Sequence, residues 1–294
     1  MIENITRSLF AATPVDTLYH YTSFAGLLGI VNSGVLRASD IRYMNDSEEL
    51  RHSLTLLQTH VSERIAGGTD NPRLLNQLLE WLSHRIIGGS MLFGGSFRAN
   101  GNLLSQWRGY SMHGKGVSLG FDPVHIRSCA ERQCFQVGKC LYEAGQQRAL
   151  IEQIVDAVEI AAGQSEDIGE SAPRPRDYTY YDVFERVEGD LLRIASILKH
   201  PSFEEEQEWR IVSPVITDFS DASVYFREGT SMLIPFYEFR LTDDGDSSLK
   251  LDHVYLGPTS NIELSMNSLE LYLAKQRASP RRGISYCQIP YRQR

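Results

Sequence analysis

A histidine closing a short β-prone run and a pair of alternate glutamates far downstream are the groups of this chain best suited to act together. His20 sits in Leu18-Tyr19-His20-Tyr21-Thr22-Ser23, and the acids in Glu206-Gln207-Glu208-Trp209-Arg210-Ile211-Val212. An imidazole has two ring nitrogens, so one can bond backbone while the other meets a ribose hydroxyl. Thr22 falls on the same strand face and can add a hydroxyl; Tyr21 points the other way. With period two, Glu206, Glu208 and Arg210 share one face of a strand. A strand-end His-x-Thr, a helix behind it and a distant Glu-x-Glu are parts that a site holding NAD and breaking its glycosidic bond would need. Each part also has a plainer reading. His20 fits a satisfied strand-end histidine, and the run Phe203-Glu204-Glu205-Glu206-Gln207-Glu208 fits a solvated loop. The acidic strip is either catalytic or an ion-pair ladder with Arg210.

A second polar-aromatic group comprises Ser96, Arg98, Gln106, Trp107, Arg108 and Tyr110. A flat ring can stack on nicotinamide or adenine, and an arginine can bond pyrophosphate bidentately. Trp107 and Tyr110 serve equally as core anchors of a short helix. Asn45-Asp46 reads first as a helix cap and second as a ligand contact. The segment Gly109-Tyr110-Ser111-Met112-His113-Gly114-Lys115-Gly116 has the outline of a phosphate loop. It lacks the hydroxyl residue after Lys115 and follows a helix rather than a strand, which excludes a nucleoside triphosphatase of that type. The remaining histidines lack metal-ligand spacing. His52 and His60 are expected on the outer face of a helix.

Composition sets wider limits. The chain has 294 residues, 42% hydrophobic and 22% charged, the balance of a globular protein. Its net charge of −8 provides no global attraction for nucleic acid. Lys275, Arg277, Arg281, Arg282, Arg292 and Arg294 form a basic C-terminal stretch that reads as a solvated tail. Cys129, Cys134, Cys140 and Cys287 match neither a zinc site nor a disulfide framework, pointing to a reduced, cytoplasmic protein. Residues 1–10 contain no signal-peptide core, and no apolar run approaches the ~18 residues needed to span a bilayer.

The elements that must position these groups alternate early and segregate late. Leu18–Thr22 reads as a strand. Phe24, Leu27, Leu28 and Val31 form a helical face stopped at Asn32-Ser33-Gly34, and residues 35–38 return as a short strand. Two helices follow, the first capped by Asp46 with Leu50, Leu54, Leu57 and Val61 inward. Residues 90–98 and 116–121 read as strands, with a short helix over 102–110 between them. Residues 123–205 read as a helical insertion, with a mobile loop over 163–176. Strands dominate from 206 onward, apart from a helix over 262–273. The expectation is one α+β domain over residues 1–294, not a parallel doubly wound sheet.

His20-Tyr21-Thr22, Tyr43-Met44-Asn45-Asp46-Ser47-Glu48, the 94–98 strand, Leu104-Ser105-Gln106-Trp107-Arg108-Gly109-Tyr110, residues 116–122 and 206–212, and Leu256-Gly257-Pro258 resemble, in that order, a bacterial domain-of-unknown-function family, the one numbered twenty-nine seventy-one. The resemblance spans about 17–260 and brings no settled activity. The opening His-x-Thr strand and the helix ending in Asn-Ser-Gly-Val-Leu are also similar to ADP-ribosyltransferase-fold proteins, above all DNA-modifying toxins and tRNA 2′-phosphotransferases. That similarity implies a split mixed or antiparallel sheet with helical insertions. It implies NAD as substrate, no metal, and a nucleic-acid or protein acceptor. His20 becomes the ribose contact, Glu208 the catalytic acid and Glu206 the group orienting the acceptor, although Glu204-x-Glu206 fits the same spacing. The Ser-Thr-Ser signature of one subclass is absent; Ser96 is a partial match. Arg37, Arg42 or Arg98 would hold pyrophosphate, and Tyr43 or Tyr110 would stack on nicotinamide, with Tyr21, Thr22, Asn45, Ser96 and Trp107 around the nucleotide. A toxin or phage-defence role and a neutralising partner protein follow from the same similarity, while the lack of a long apolar run points to no membrane association. Two rivals stand beside it. A non-catalytic nucleotide- or partner-binding module would keep Glu206 and Glu208 neutralised by Arg210 and outside any pocket. A metal-dependent nuclease would gather Asp46, Glu48, Glu206 and Glu208.

Overall fold

A computed structural model describes residues 1–44, 48–109, 115–167, 179–218, 220, 223–243 and 248–289, with the side chains of 48, 49, 86–88 and 165–167 excepted. The elements in chain order are α1 (Ile2–Leu9), β1 (Leu18–Thr22), α2 (Phe24–Ser33), β2 (Val35–Asp40), α3 (Glu48–Ala66), α4 (Pro72–Gly88), β3 (Phe93–Arg98), α5 (Leu104–Gly109), β4 (Val117–Phe121), α6 (Pro123–Arg132) and β5 (Gln136–Lys139). They continue with α7 (Ala144–Asp167), α8 (Tyr181–Ala195), β6 (Glu208–Val212), β7 (Val224–Glu228), β8 (Leu233–Arg240), β9 (His253–Leu256), α9 (Ile262–Lys275) and β10 (Ile284–Tyr286). Short 3-10 turns occupy Ile41–Tyr43 and Pro201–Glu206.

Local chemistry sets the helix ends. The Ser23 hydroxyl accepts from the Gly26 amide at 3.1 Å at the start of α2, and Gly34 closes that helix at φ 66°. Asn71 and Asn261 cap α4 and α9 in the same manner, and Asp122 followed by Pro123 opens α6. The α1 helix was not legible in the alternation of residues 1–10; it exists because Ile2 and Thr6 pack inward on a helical stripe. The cap assigned to Asp46 lies outside the described residues. Residues 163–167 continue α7 rather than opening a loop, and 168–176 lie outside the described residues.

The strands make one mixed, largely antiparallel sheet in the order β10-β9-β4-β1-β3-β2-β8-β7, with β6 on β3 and β5 on β6. Among the described strands β10 and β9 pair in parallel, and an isolated parallel bridge joins Leu141 to Leu198. The insertion over 123–205 is therefore not wholly helical, because β5 lies within it and extends the sheet.

One edge of β3 pairs with β6 from Gly94 to Arg98. Its other edge is shared. β1 holds it at Tyr19↔Arg98, and β2 holds it at Ser39↔Gly94 and Asp40↔Phe93. Between these contacts the sheet opens, and Gly95, Ser96 and Phe97 have no strand partner on that side. One face of the sheet packs on α2, α6 and α9 through Leu18, Leu36, Phe97, Leu119, Ile211 and Phe239 among others. The helices α1, α3, α4, α7 and α8 form a second core on the opposite side around Leu75, Val61, Val155 and Phe184. Each fully buried residue of that size contributes about 1.5–3 kcal/mol relative to exposure. Ile41, Leu50, Leu92, Leu192 and Val212 join the two layers.

Candidate functional site

The opening in the sheet is where the early histidine meets the middle strand. The His20 Nδ1 lies 3.0 Å from the Ser96 carbonyl oxygen. A carbonyl only accepts, so this nitrogen carries the proton and donates it, leaving Nε2 as the acceptor of the neutral ring. Burial lowers the His20 pKa, and Arg98 lowers it further against the opposing pull of the Ser96 hydrogen bond. Tyr19, His20, Tyr21, Ser96, Arg98 and Gln106 line a recess of about 30 Å³ at this point.

Arg98 runs from the recess into a buried ionic cluster. Its Nε donates to the Gln106 Oε1 at 3.1 Å, its Nη2 meets the Glu206 Oε2 at 2.9 Å, and its Nη1 meets the Glu208 Oε1 at 3.3 Å. Cross-strand register explains the last contact, since Arg98 and Glu208 are direct partners and so share a face. Lys199 places its Nζ 2.6 Å from the Oε2 of both Glu206 and Glu208. Arg210 Nε and Nη2 reach the Glu208 Oε1 at 3.0 and 2.8 Å, and its Nη1 donates to the Ser196 carbonyl at 2.5 Å. Three cations thus surround two carboxylates. Glu208 and Lys199 are fully buried, while Glu206 retains 8% exposure.

The two acids differ in what they can still do. Glu208 accepts from Arg98 and from both Arg210 nitrogens on Oε1 and from Lys199 on Oε2, with no exposure to solvent. Burial opposes its ionisation, yet Arg210, Arg98 and Lys199 together overcome that and hold its pKa well below the ordinary value. Glu206 receives Lys199 and Arg98 on Oε2. Among the described residues its Oε1 has no partner. Unbroken strand periodicity predicts a shared face for Glu206 and Glu208. The structure differs: Glu206 ends a 3-10 turn, Gln207 takes a left-handed conformation at φ 41°, and the strand starts at Glu208. Lys199, not the strand, draws the two carboxylates together.

The other expected ligand residues scatter. Tyr21 lines the recess but is pinned, its hydroxyl donating to the Asn100 carbonyl at 2.9 Å and accepting from the Leu103 amide at 2.8 Å. Trp107 is fully buried, edge-on to Tyr21 at 4.8 Å, with Nε1 donating to the Asn102 Oδ1. Thr22 is half-buried beside the first turn of α2. Arg42 is held by Asp40 at 2.6 Å, and Arg37 lies over the Phe236 ring on β2's outer face. Tyr43 is 38% exposed. Asn45 and Tyr110 lie outside the described residues, as do Asp46 and most of the glycine-rich 109–116 segment. His52 and His60 are half-buried rather than surface groups: His52 Nε2 lies 3.2 Å from the Gln147 Oε1, and the His60 Nε2 is buried.

Lys199 and Tyr142 were missed. Tyr142 accepts the Glu208 amide at 3.0 Å, and burial pushes its own pKa up. The available signal for Lys199 was its position directly after the apolar pair Ile197-Leu198, where a buried lysine needs an acid.

Among the described residues no group of acids, histidines and cysteines is arranged to hold a metal ion. None of the four cysteines is in a disulfide among the described residues. No described helix is long and apolar enough to cross a membrane.

These features define a mixed α+β domain whose sheet carries a buried ionic cluster beside a histidine-lined opening. Residues 106–211, from α5 into β6, match the family model described as "Protein of unknown function (DUF2971)". The match takes in Gln106, Lys199, Glu206, Glu208 and Arg210, and stops short of His20, Ser96 and Arg98. No curated protein and no solved structure matches the chain.

Proposed function

We propose that this chain is an NAD-using, ADP-ribosyltransferase-like enzyme in which Glu206 is the carboxylate that meets the substrate ribose. The observation carrying this reading is the opening between β1 and β2 along β3. It sets His20 and Ser96 at a recess from which Arg98 leads directly to Glu206 and Glu208.

The neutral His20 ring offers Nε2 to a ribose hydroxyl, and Arg98 supplies positive charge for pyrophosphate. Glu206 Oε1 accepts a hydrogen bond from the hydroxyl next to the anomeric carbon. The glycosidic C–N bond breaks and its electron pair leaves with nicotinamide. An acceptor nucleophile bonds the anomeric carbon and gives up its proton to Glu206 or to solvent. A fixed carboxylate stabilises the positive charge growing on the ribose more than it stabilises the ground state. Glu208 is the positioning residue, holding Lys199 and Arg98 so that both also reach Glu206.

A recess of about 30 Å³ holds a water or two, whereas small-molecule pockets measure roughly 300–1,000 Å³. The reading therefore requires the His20–Ser96 contact to part when NAD enters. The enclosure of Glu208 among three cations, out of reach of solvent, favours a second reading: a nucleotide- or partner-binding module without turnover. Labelled NAD incubated with cell lysate separates the two. Under the first reading, wild type releases nicotinamide or transfers label to a nucleic-acid or protein acceptor, and Glu206→Gln lowers the rate by about 100- to 1,000-fold. NAD that binds and is never consumed would establish the second. Turnover surviving in Glu206→Gln would remove Glu206 from its role.

A further inference from the structure

Away from the recess, the same sheet face continues onto β2, β8 and β7, where Arg37, Ser39, Phe236, Glu238, Tyr225 and Arg227 fall on one side by register. The Arg37 guanidinium lies 5.0 Å from the centre of the Phe236 ring. Tyr225 is stacked on the same ring at 5.8 Å and 27°, and is 45% exposed. Arg227 Nη2 donates to the Ser39 hydroxyl at 3.2 Å. Burial lowers the Arg227 pKa, and the charge of Arg37 lowers it further, so the two guanidiniums repel. Neither makes an ion pair with a described acid. Glu238, directly opposite Arg37 by register, does not approach it to bonding distance.

Arg240, two residues beyond Glu238 on the same face, is exposed and likewise has no described acidic partner. Gln133 fixes the Arg240 backbone, donating to its carbonyl at 2.9 Å and accepting from its amide at 2.8 Å. A cleft of about 340 Å³ extends the surface past Tyr225, Tyr237, Glu238 and Arg240 to Arg132. Arg132 itself pairs with Asp243 at 2.9 Å. In a chain of net charge −8, a face carrying Arg37, Arg227 and Arg240 against the single acid Glu238 is a locally positive exception. Successive residues on one strand face are about 6.6–6.8 Å apart, so Tyr225 and Arg227 follow one another along β7, while along β8 Glu238 stands between Phe236 and Arg240.

We infer that this face of β2, β8 and β7 binds a single-stranded nucleic acid, with phosphates at Arg37, Arg227 and Arg240 and a base stacked on Tyr225. Guanidiniums fit phosphate bidentately, and exposed tyrosine stacks on any base, which together give sequence-tolerant strand binding. The inference is independent of NAD turnover, because the surface lies outside the recess and its occupancy is measured with NAD absent.

Fluorescence anisotropy of a short labelled oligouridylate in low salt tests it on the full chain. Saturable binding is expected. Arg37→Gln/Arg227→Gln should weaken it tenfold or more and reduce the salt slope by about 1.4, the loss for two single-strand phosphate contacts. Tyr225→Ala should weaken it roughly 5- to 150-fold. Melting curves check the fold of each variant. If the double variant does not fold, the exposed Arg240→Gln replaces it and should also weaken binding. Absence of binding, equal affinity for duplex, competition by uridine monophosphate at comparable concentration, or affinity unchanged by these substitutions would each overturn the inference.

Discussion

Replacing Glu208 with glutamine should destabilise the protein severely. The substitution leaves Arg98, Lys199 and Arg210 facing the single carboxylate of Glu206, which contacts Arg98 and Lys199 on one oxygen. All three cations are almost completely buried, so solvent and salt screen them little. Breaking such a buried arrangement costs about 3–5 kcal/mol, a large part of the roughly 5–15 kcal/mol that holds a domain folded. Urea denaturation of wild type and Glu208→Gln at neutral pH measures the difference. The double variant Glu208→Gln/Arg210→Met should recover part of it, because it removes one of the stranded charges. Acid titration gives an independent check. The folded Glu208 pKa lies below the ordinary value of 4.5, so the unfolded chain takes up the proton first. Its contribution is complete above that value and declines as pH falls through it toward the folded pKa. Wild-type stability should fall below about pH 4.5 more steeply than that of Glu208→Gln. A loss under about 1 kcal/mol, the range of exposed ion pairs, with identical acid slopes, would refute the account of the cluster.

His20 should titrate below the ordinary 6.5, with burial the main cause. Its neutral folded form loses stability as pH falls through the unfolded value, and its ring resonances in NMR should show the lowered midpoint. Trp107→Ala, which empties a fully buried site and strands the Asn102 contact, should cost about 3–5 kcal/mol in denaturant titrations. Gly29→Ala should stabilise by roughly 0.5–1 kcal/mol, since an added Cβ on exposed α2 meets nothing. Gly120→Ala should destabilise by about 1–3 kcal/mol, because its Cβ would lie 2.8 Å from the His253 carbonyl oxygen; thermal melts of the pair should move in opposite directions.

The local part of this architecture was legible. Gly34 signals the end of α2 through a left-handed backbone angle that depends on near neighbours. The strands at 18–22 and 208–212 show in their β-branched and aromatic content. Illegible features depended on distant partners. Residues 136–139 carry too few apolar positions to announce a strand, and they become one because β6 offers an edge. Periodicity carried through Gln207 set Glu206 in the strand, because nothing in the residue types disclosed the left-handed turn. Trp107 and Tyr21 look like stacking platforms, yet each ring spends its polar atom on local backbone or Asn102. Lys199 could not be paired with either glutamate until the connection after α8 was seen to fold back beneath β6.

Titration of the wild-type protein with NAD, following the His20 ring resonances, tests most directly whether the opening in the sheet is a nucleotide site. A saturable shift of those resonances, with loss of the Ser96 hydrogen bond as the recess widens, is the predicted result. Unchanged His20 resonances at millimolar NAD would contradict it.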